Sequence, residues 1–401
     1  MENQSQSTDL FSDRKIKKEI KGLIDRNFPP VTSKKVVSTV TRFLKERGDV
    51  TRWDHKNLVY LPSINNHVFR FLSDGKDYVI KVFPSSENGQ LGYKQELEGR
   101  RFLTKNEIFK DSPEVKLPNV LHAYEDLSTQ VIEFIPNLQE SGLGIYDKIF
   151  QKKIRSSFVS FLVQLNEIRF SIDNKDMLYM SRYSANSAFD IYQNALSRFE
   201  KFRHWLKDGK KDQTTFIKWI KENDFISVLD SHFNKGLSLV NSSILAKQIQ
   251  PDEMRFNWGD VSFQSLPYIE KGKTIQLVPL DLEYSGWDHF SGGVCSFILH
   301  HTSEELSLDF KKTFLAKFVH ESRLTKEQIA ELNARLITGD LLFISRKLTA
   351  AIKLANELPN YKFHKLREIQ RQGYSWPEVK IREFLAPALT RARQKFLTIS
   401  D

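Results

Sequence analysis

The sequence predicts an α+β protein in two lobes: a small antiparallel sheet comes first, and a larger helical part with one β-hairpin set into it follows. Three observations carry that reading. The chain has 401 residues, more than one hydrophobic core usually serves, so two domains are expected. Between about residues 57 and 83, and again near 117–135, short strand-like runs are separated by turn residues. From about Tyr146 onward apolar residues recur at helical spacing, as in Ile154, Phe158, Phe161, Leu162, Leu165 and Ile168. The expected boundaries are 1–54 for a helical preamble with a disordered start, 55–140 for the sheet lobe, 141–356 for the helical lobe and 357–401 for a basic helical extension.

Composition supports a folded chain. Hydrophobic residues make up 40% and aromatics 12%, whereas a disordered chain is poor in aromatics. No run of about eighteen apolar residues occurs, so no membrane-spanning helix is expected. The polar start MENQSQSTDLFSDRK lacks a basic-then-apolar leader. With a single cysteine, Cys295, in the apolar run Val294–Leu299, an internal disulfide framework is excluded and a cytoplasmic location expected. The net charge of +10 is spread along the chain, with an excess of nine Lys and Arg over four Asp and Glu from Lys362 to Asp401. That pattern suits solvated helical faces and a basic tail, and disfavours nucleic acid as a partner.

Taken in order, residues 14–47 carry helical periodicity broken at Asn27–Pro30. Strands are expected at Asn57–Leu61, His67–Leu72 and Tyr78–Phe83. Ser73-Asp74-Gly75-Lys76 forms the turn between the last two, because Asp-Gly tolerates the positive φ of tight hairpins. Lys81 falls inside the third strand. A lysine there either faces solvent from an edge or presents a point charge to phosphates. A helix is expected over Gly92–Lys105, with Glu96 in its first turns, then strands at Leu117–Leu121 and Gln130–Ile135. Helical segments follow near 186–207, 214–241, 306–320, 326–336 and 341–354.

The hairpin of the second half is expected over Ser265–Ile269 and Thr274–Leu280, turning at Glu270–Lys273. It sets Asp260 of Asn257-Trp258-Gly259-Asp260 just ahead of its first strand and Asp281 of Asp281-Leu282-Glu283-Tyr284 at the end of its second. Two carboxylates held this way can serve phosphoryl transfer, one orienting or deprotonating a hydroxyl and the other binding the metal that bridges nucleotide phosphates. On spacing alone the pair is equally compatible with two ordinary loop residues.

The order of these pieces resembles the aminoglycoside phosphotransferase and choline kinase superfamily over roughly residues 55–355. The resemblance rests on Tyr78-Val79-Ile80-Lys81-Val82-Phe83, Gln95-Glu96-Leu97-Glu98-Gly99-Arg100-Arg101-Phe102-Leu103, Leu117–Leu121, Val131–Pro136, Trp258-Gly259-Asp260 and Asp281–Asp288. It implies a protein-kinase-like fold and a small-molecule kinase that uses ATP or GTP with Mg2+. By similarity, Lys81 contacts the α/β phosphates and pairs with Glu96, and the backbone of Glu133 to Ile135 meets the adenine. Asp260 is then the catalytic aspartate and Asp281 the magnesium ligand. Glu283 and Tyr284 also match, in a structural role.

This chain departs from the family pattern in four places. Trp258 replaces the usual His. Ser265 stands where an Asn binds the second magnesium, with Gln264 beside it, and a hydroxyl is a poorer metal ligand than an amide carbonyl. His289-Phe290-Ser291-Gly292-Gly293 replaces the usual Pro and further Asp, and the loop Ser63–His67 has no glycine. The expected function is nucleoside-triphosphate-dependent phosphorylation of a hydroxyl on a small molecule such as a sugar, amino sugar or amino alcohol. The alternative is a catalytically impaired, kinase-like nucleotide-binding or scaffold protein.

Overall fold

The structure, a computed structural model, describes residues 30–47, 58–61, 66–73, 75–110, 112–139, 148–170, 187–208, 214–259, 267–271, 274–300, 307–353 and 375–399. In chain order these form α1 (Pro30–Arg47), β1 (Val59–Leu61), β2 (His67–Ser73), β3 (Lys76–Val82), α2 (Glu87–Lys105), α3 (Glu107–Lys110), β4 (Val120–Tyr124) and β5 (Thr129–Glu133). Next come α4 (Lys148–Glu167), α5 (Ala188–Lys207), α6 (Thr214–Glu222), α7 (Phe225–Ser238), α8 (Ser242–Ala246) and β6 (Met254–Asn257). The hairpin β7 (Tyr268–Lys271) and β8 (Thr274–Leu277) precedes β9 (Gly286–His289), α9 (Gly292–His300), α10 (Leu308–Glu321) and α11 (Lys326–Lys353). The chain ends in α12 (Trp376–Lys380), a π-helical turn (Ile381–Leu385) and α13 (Ala386–Ala392). It divides into two compact units, one of residues up to Glu140 with Leu266–Ser285, the other of Ser141–Ser265 with Gly286–Asp401.

The first unit is built on a five-stranded antiparallel sheet in the order β1-β2-β3-β5-β4. The β2–β3 hairpin closes at Ser73↔Lys76, and Gly75 takes φ 71°, a conformation a side chain would strain. β3 therefore lies inside the sheet, between β2 and β5. On α1, Val36, Val37, Val40, Phe43 and Leu44 share one face at helical spacing and pack with Phe69, Phe71, Tyr78, Ile80 and Val131. α2 starts five residues earlier than its periodicity predicts, because Ser86 caps it by accepting from the Gly89 amide. Its buried face interleaves charge with carbon: Tyr93, Glu96, Leu97, Arg100 and Leu103 are all buried.

The hairpin β7–β8 joins this first unit, not the helical part in which the sequence puts it. Leu277 donates its amide to the Glu114 carbonyl and accepts from the Lys116 amide, and Tyr268 exchanges backbone hydrogen bonds with Gln139. These backbone bonds tie Leu266–Ser285 into the unit that carries the sheet.

The second unit is helical. Phe199 and Phe202 of α5, Phe225, Leu229 and Phe233 of α7, and Leu341, Ile344 and Leu348 of α11 form its main core. Ile381, Leu385, Ala388 and Leu389 enter the same core, so the C-terminal segment is part of the unit. The run expected over 214–241 breaks at Asp224, which adopts φ 49°. Where two helices are expected over 326–354, α11 runs through without interruption. Gly339 sits inside it because a Cβ there would lie 2.5 Å from Leu299 Cδ1, so this glycine permits close packing and does not end the helix.

Candidate active site

Lys81 sits on β3 with 7% of its side chain exposed, and its ammonium donates to Glu96 of α2 and, at 2.8 Å, to Asp281 Oδ1. The solvent-facing option for this lysine is thereby settled against: β3 is interior and the side chain points at two carboxylates. Glu96 is fully buried and accepts a second cation, Arg100, from Nε at 3.2 Å and Nη2 at 3.0 Å. Arg100, one helical turn on, also donates to the Pro279 carbonyl at 3.3 Å and to that of Leu280. One guanidinium thus fixes the helix carboxylate and the backbone immediately before Asp281. Asn66 Nδ2 donates to Glu283 Oε2 at 2.8 Å, holding a second buried carboxylate.

The charges decide the protonation states. Burial works against the Lys81 ammonium, but Asp281, Glu96 and Glu283 outweigh it and hold its pKa above the ordinary lysine value. Burial pushes the Glu96 carboxyl up, while Lys81 and Arg100 pull against that push. An interior lysine that stays charged suits the capture of a multiply charged anion. Asp281 keeps 28% of its side chain exposed, so this set has a buried end and a solvent-facing end.

Glu133 ends β5. Its amide donates to the Asn119 carbonyl at 2.9 Å, and its carboxylate takes the Asn119 amide and side chain and the Lys116 ammonium. Ile135 is buried two residues on. Asp260 and Ser265 lie outside the described residues. The turn leading to them is described: the Gly259 amide donates to Asn257 Oδ1 at 3.0 Å, Gly259 takes φ 98°, and Asn257 Nδ2 donates to Asp288 Oδ2 at 2.9 Å. Trp258 is fully buried with its ring 5.4 Å from that of Phe161.

Sequence reasoning missed Arg100 and Asn66. The signal for Arg100 was there: Glu96 and Arg100 are an i,i+4 pair on a face that otherwise carries Tyr93, Leu97 and Leu103. Asn66 had no such signal, because its partner Glu283 lies 217 residues away.

A second carboxylate cluster, in the helical unit, brings single atoms of Glu253, His289 and Glu331 within 4.8 Å of one another. The Lys247 ammonium already bridges Glu253 at 2.7 Å, Glu327 at 3.1 Å and Glu331. His289 Nδ1 accepts the Ser291 amide, which leaves its Nε2–H to donate to Glu331 at 3.1 Å. Burial and the nearby Arg335 hold the His289 pKa well below the ordinary value. The cluster is an ion-pair network closed by lysine.

No family model matches the sequence, and no curated protein matches it either. Solved structures do resemble the fold. The ADP-bound aminoglycoside phosphotransferase APH(2'')-Ib superposes with a TM-score of 0.50 at 14% identity, over 88% of this chain and 98% of that one. APH(2'')-IIa in complex with gentamicin superposes with a TM-score of 0.51 at 14% identity, over 89% and 96%. An ethanolamine kinase of Plasmodium vivax gives 0.49 at 13% identity, over 95% and 97%. The chain has the α+β kinase-like fold of the two aminoglycoside phosphotransferase structures. Among the described residues no helix is long and apolar enough to cross a membrane.

Proposed function

We propose that this protein transfers the γ-phosphoryl group of a nucleoside triphosphate to a hydroxyl on a small molecule. The observation that carries the reading is the buried Lys81 ammonium held between Glu96 and Asp281. Structural carboxylates alone do not require one partner of such a pair to remain at the surface, whereas a phosphate site does. The ADP-bound neighbour of like fold supports a nucleotide as the ligand.

In this reading Lys81 binds the α/β phosphates, Glu96 holds Lys81 in position, and Arg100 holds Glu96. The backbone of Glu133 to Ile135 receives the base. Asp281 offers a hard, partly exposed carboxylate oxygen, the donor type Mg2+ prefers, and Ser265 is the candidate for a second ligand. When bound, Mg2+ neutralises developing phosphate charge. Asp260 orients the acceptor hydroxyl and takes its proton. The hydroxyl oxygen then bonds to the γ-phosphorus as the bond from that phosphorus to the β–γ bridging oxygen breaks, and its electron pair leaves on the nucleoside diphosphate.

Turnover with magnesium, a nucleoside triphosphate and a panel of hydroxyl acceptors tests the proposal. Asp260→Ala is expected to lose roughly 10³-fold in rate, and full activity in that variant rules the assignment out. Ser265 in place of asparagine favours one competing reading, a site that binds nucleotide without turnover. Under it, wild type gives a nucleotide-dependent thermal shift and no transfer, and Ser265→Asn creates activity.

A further inference from the structure

Within the helical unit, α5, α9 and α11 enclose an open cavity of about 120 Å³, lined among others by Asp288, Ser291, Ser296, Arg335 and Arg346. It has room for on the order of ten water-sized groups, the scale of a small metabolite. It is tied to the catalytic turn, because Ser296 Oγ donates to the Gly259 carbonyl at 3.2 Å, and Gly259 directly precedes Asp260 in sequence.

Arg335 gives the cavity its character. The residue is only 7% exposed, yet among the described residues its guanidinium makes no hydrogen bond and no ion pair. Asp288, Glu331 and Glu253 act on it only through space. None of its nitrogens is buried without a partner, and the residue lines both this cavity and a much smaller neighbouring pocket shared with Glu253, His289 and Glu331. A buried guanidinium left unpaired is costly, and an arriving carboxylate or phosphate supplies the missing acceptors in the bidentate geometry the fork is shaped for. Among the described lining residues the carboxylate is that of Asp288, and it is already engaged: Oδ2 accepts from Asn257 and Oδ1 from the His289 amide. Arg346, exposed at the rim, adds a second positive charge.

We propose that this cavity is the acceptor pocket and that its substrate is a small hydroxyl compound bearing an anionic oxygen group, a carboxylate or phosphate ester, received by Arg335. The inference rests on the phosphotransferase reading. The acceptor hydroxyl forms the new bond to the γ-phosphorus and yields its proton to Asp260, and the nucleoside diphosphate departs with the electron pair of the broken bond. The acceptor's anionic group is unchanged by the transfer. Among the described lining residues a quaternary or polyamine cation would meet Arg335 and the engaged carboxylate of Asp288.

The test is calorimetric titration of the full-length protein, in the presence of a magnesium-bound non-hydrolysable ATP analogue, with glycerate, glycerol 3-phosphate, glycerol and choline. The analogue keeps the phosphate probe from reporting through the nucleotide site. At least one anion is expected to bind roughly tenfold to a hundredfold tighter than glycerol or choline, and the tighter of the two identifies the anionic group. Arg335→Gln is expected to erase that preference and Arg335→Lys to restore part of it. The wild-type order of affinities decides the matter even where a variant fails to fold. Saturable binding of choline or glycerol in preference to both anions, absence of binding by either anion, or an anion preference that survives in folded Arg335→Gln overturns the proposal. If the ATP analogue itself fails to bind, it is the phosphotransferase reading that fails, a separate outcome read in the same experiment.

Discussion

Replacing Arg100 by methionine keeps most of the buried volume and removes a group that joins α2 to the backbone before Asp281. In the structure this guanidinium gives two hydrogen bonds to Glu96, one to the Pro279 carbonyl and one to that of Leu280, with 3% of the side chain exposed. Its loss leaves Glu96 with Lys81 as its remaining cation and strips a donor from two carbonyls. Removing one partner of a buried ion pair costs about 3–5 kcal/mol, and the carbonyl losses are not added because groups in one network do not sum. Against a total stability of about 5–15 kcal/mol this is a large fraction. Urea unfolding followed by circular dichroism measures it as a lower midpoint at constant slope. Arg100→Lys is expected to recover less than about half the loss, since a point charge cannot reach Glu96 and both carbonyls at once. A loss below about 1 kcal/mol in Arg100→Met refutes the role given to this residue.

Asp340→Asn is expected to cost about 3–5 kcal/mol, because buried Asp340 accepts from His232 at 3.0 Å and from Arg391 of α13; thermal melts that leave the variant unchanged contradict this. His289 is held neutral by burial, with its folded pKa below the unfolded value near 6.5. The unfolded chain therefore binds the extra proton, and stability falls as pH drops below about 6.5, by up to about 1.4 kcal/mol per pH unit for this group. His67 is shifted in the same direction, first by burial, so His289→Gln is expected to lessen the slope of stability with pH over that window and not abolish it. Burial pushes the Cys295 thiol up to about 12, so thiol reagents at neutral pH are expected to label it only on unfolding, and rapid labelling of the native protein speaks against that burial.

Much of the sheet unit was legible because its signals are local. Asp74-Gly75 marks the β2–β3 hairpin, and the strand pattern around Ile80 put Lys81 on the right strand. What periodicity could not show was that β5 pairs on the far side of β3, which turns an apparent edge lysine into an interior one. The placement of β7–β8 was hidden for the same reason: its tie is the backbone exchange of Leu277 with residues 114 and 116, far away in sequence. The apolar periodicity pauses between 336 and 341, yet α11 is continuous there, and Gly339 inside it makes room for Leu299. That Lys81, Glu96 and Asp281 meet was legible in their order along the chain. The burial of Arg335 was not, since a single arginine in an amphipathic helix looks like any solvated one.

The central claim is that Lys81, Glu96 and Asp281 form the phosphate end of a magnesium-dependent nucleotide site. Isothermal titration of ATP into the full-length protein, with magnesium and then with EDTA, tests it most directly. Wild type is expected to bind more tightly with magnesium, Asp281→Asn to lose that difference, and Lys81→Met to bind weakly in both conditions. ATP affinity that is the same in wild type, Asp281→Asn and Lys81→Met contradicts the account.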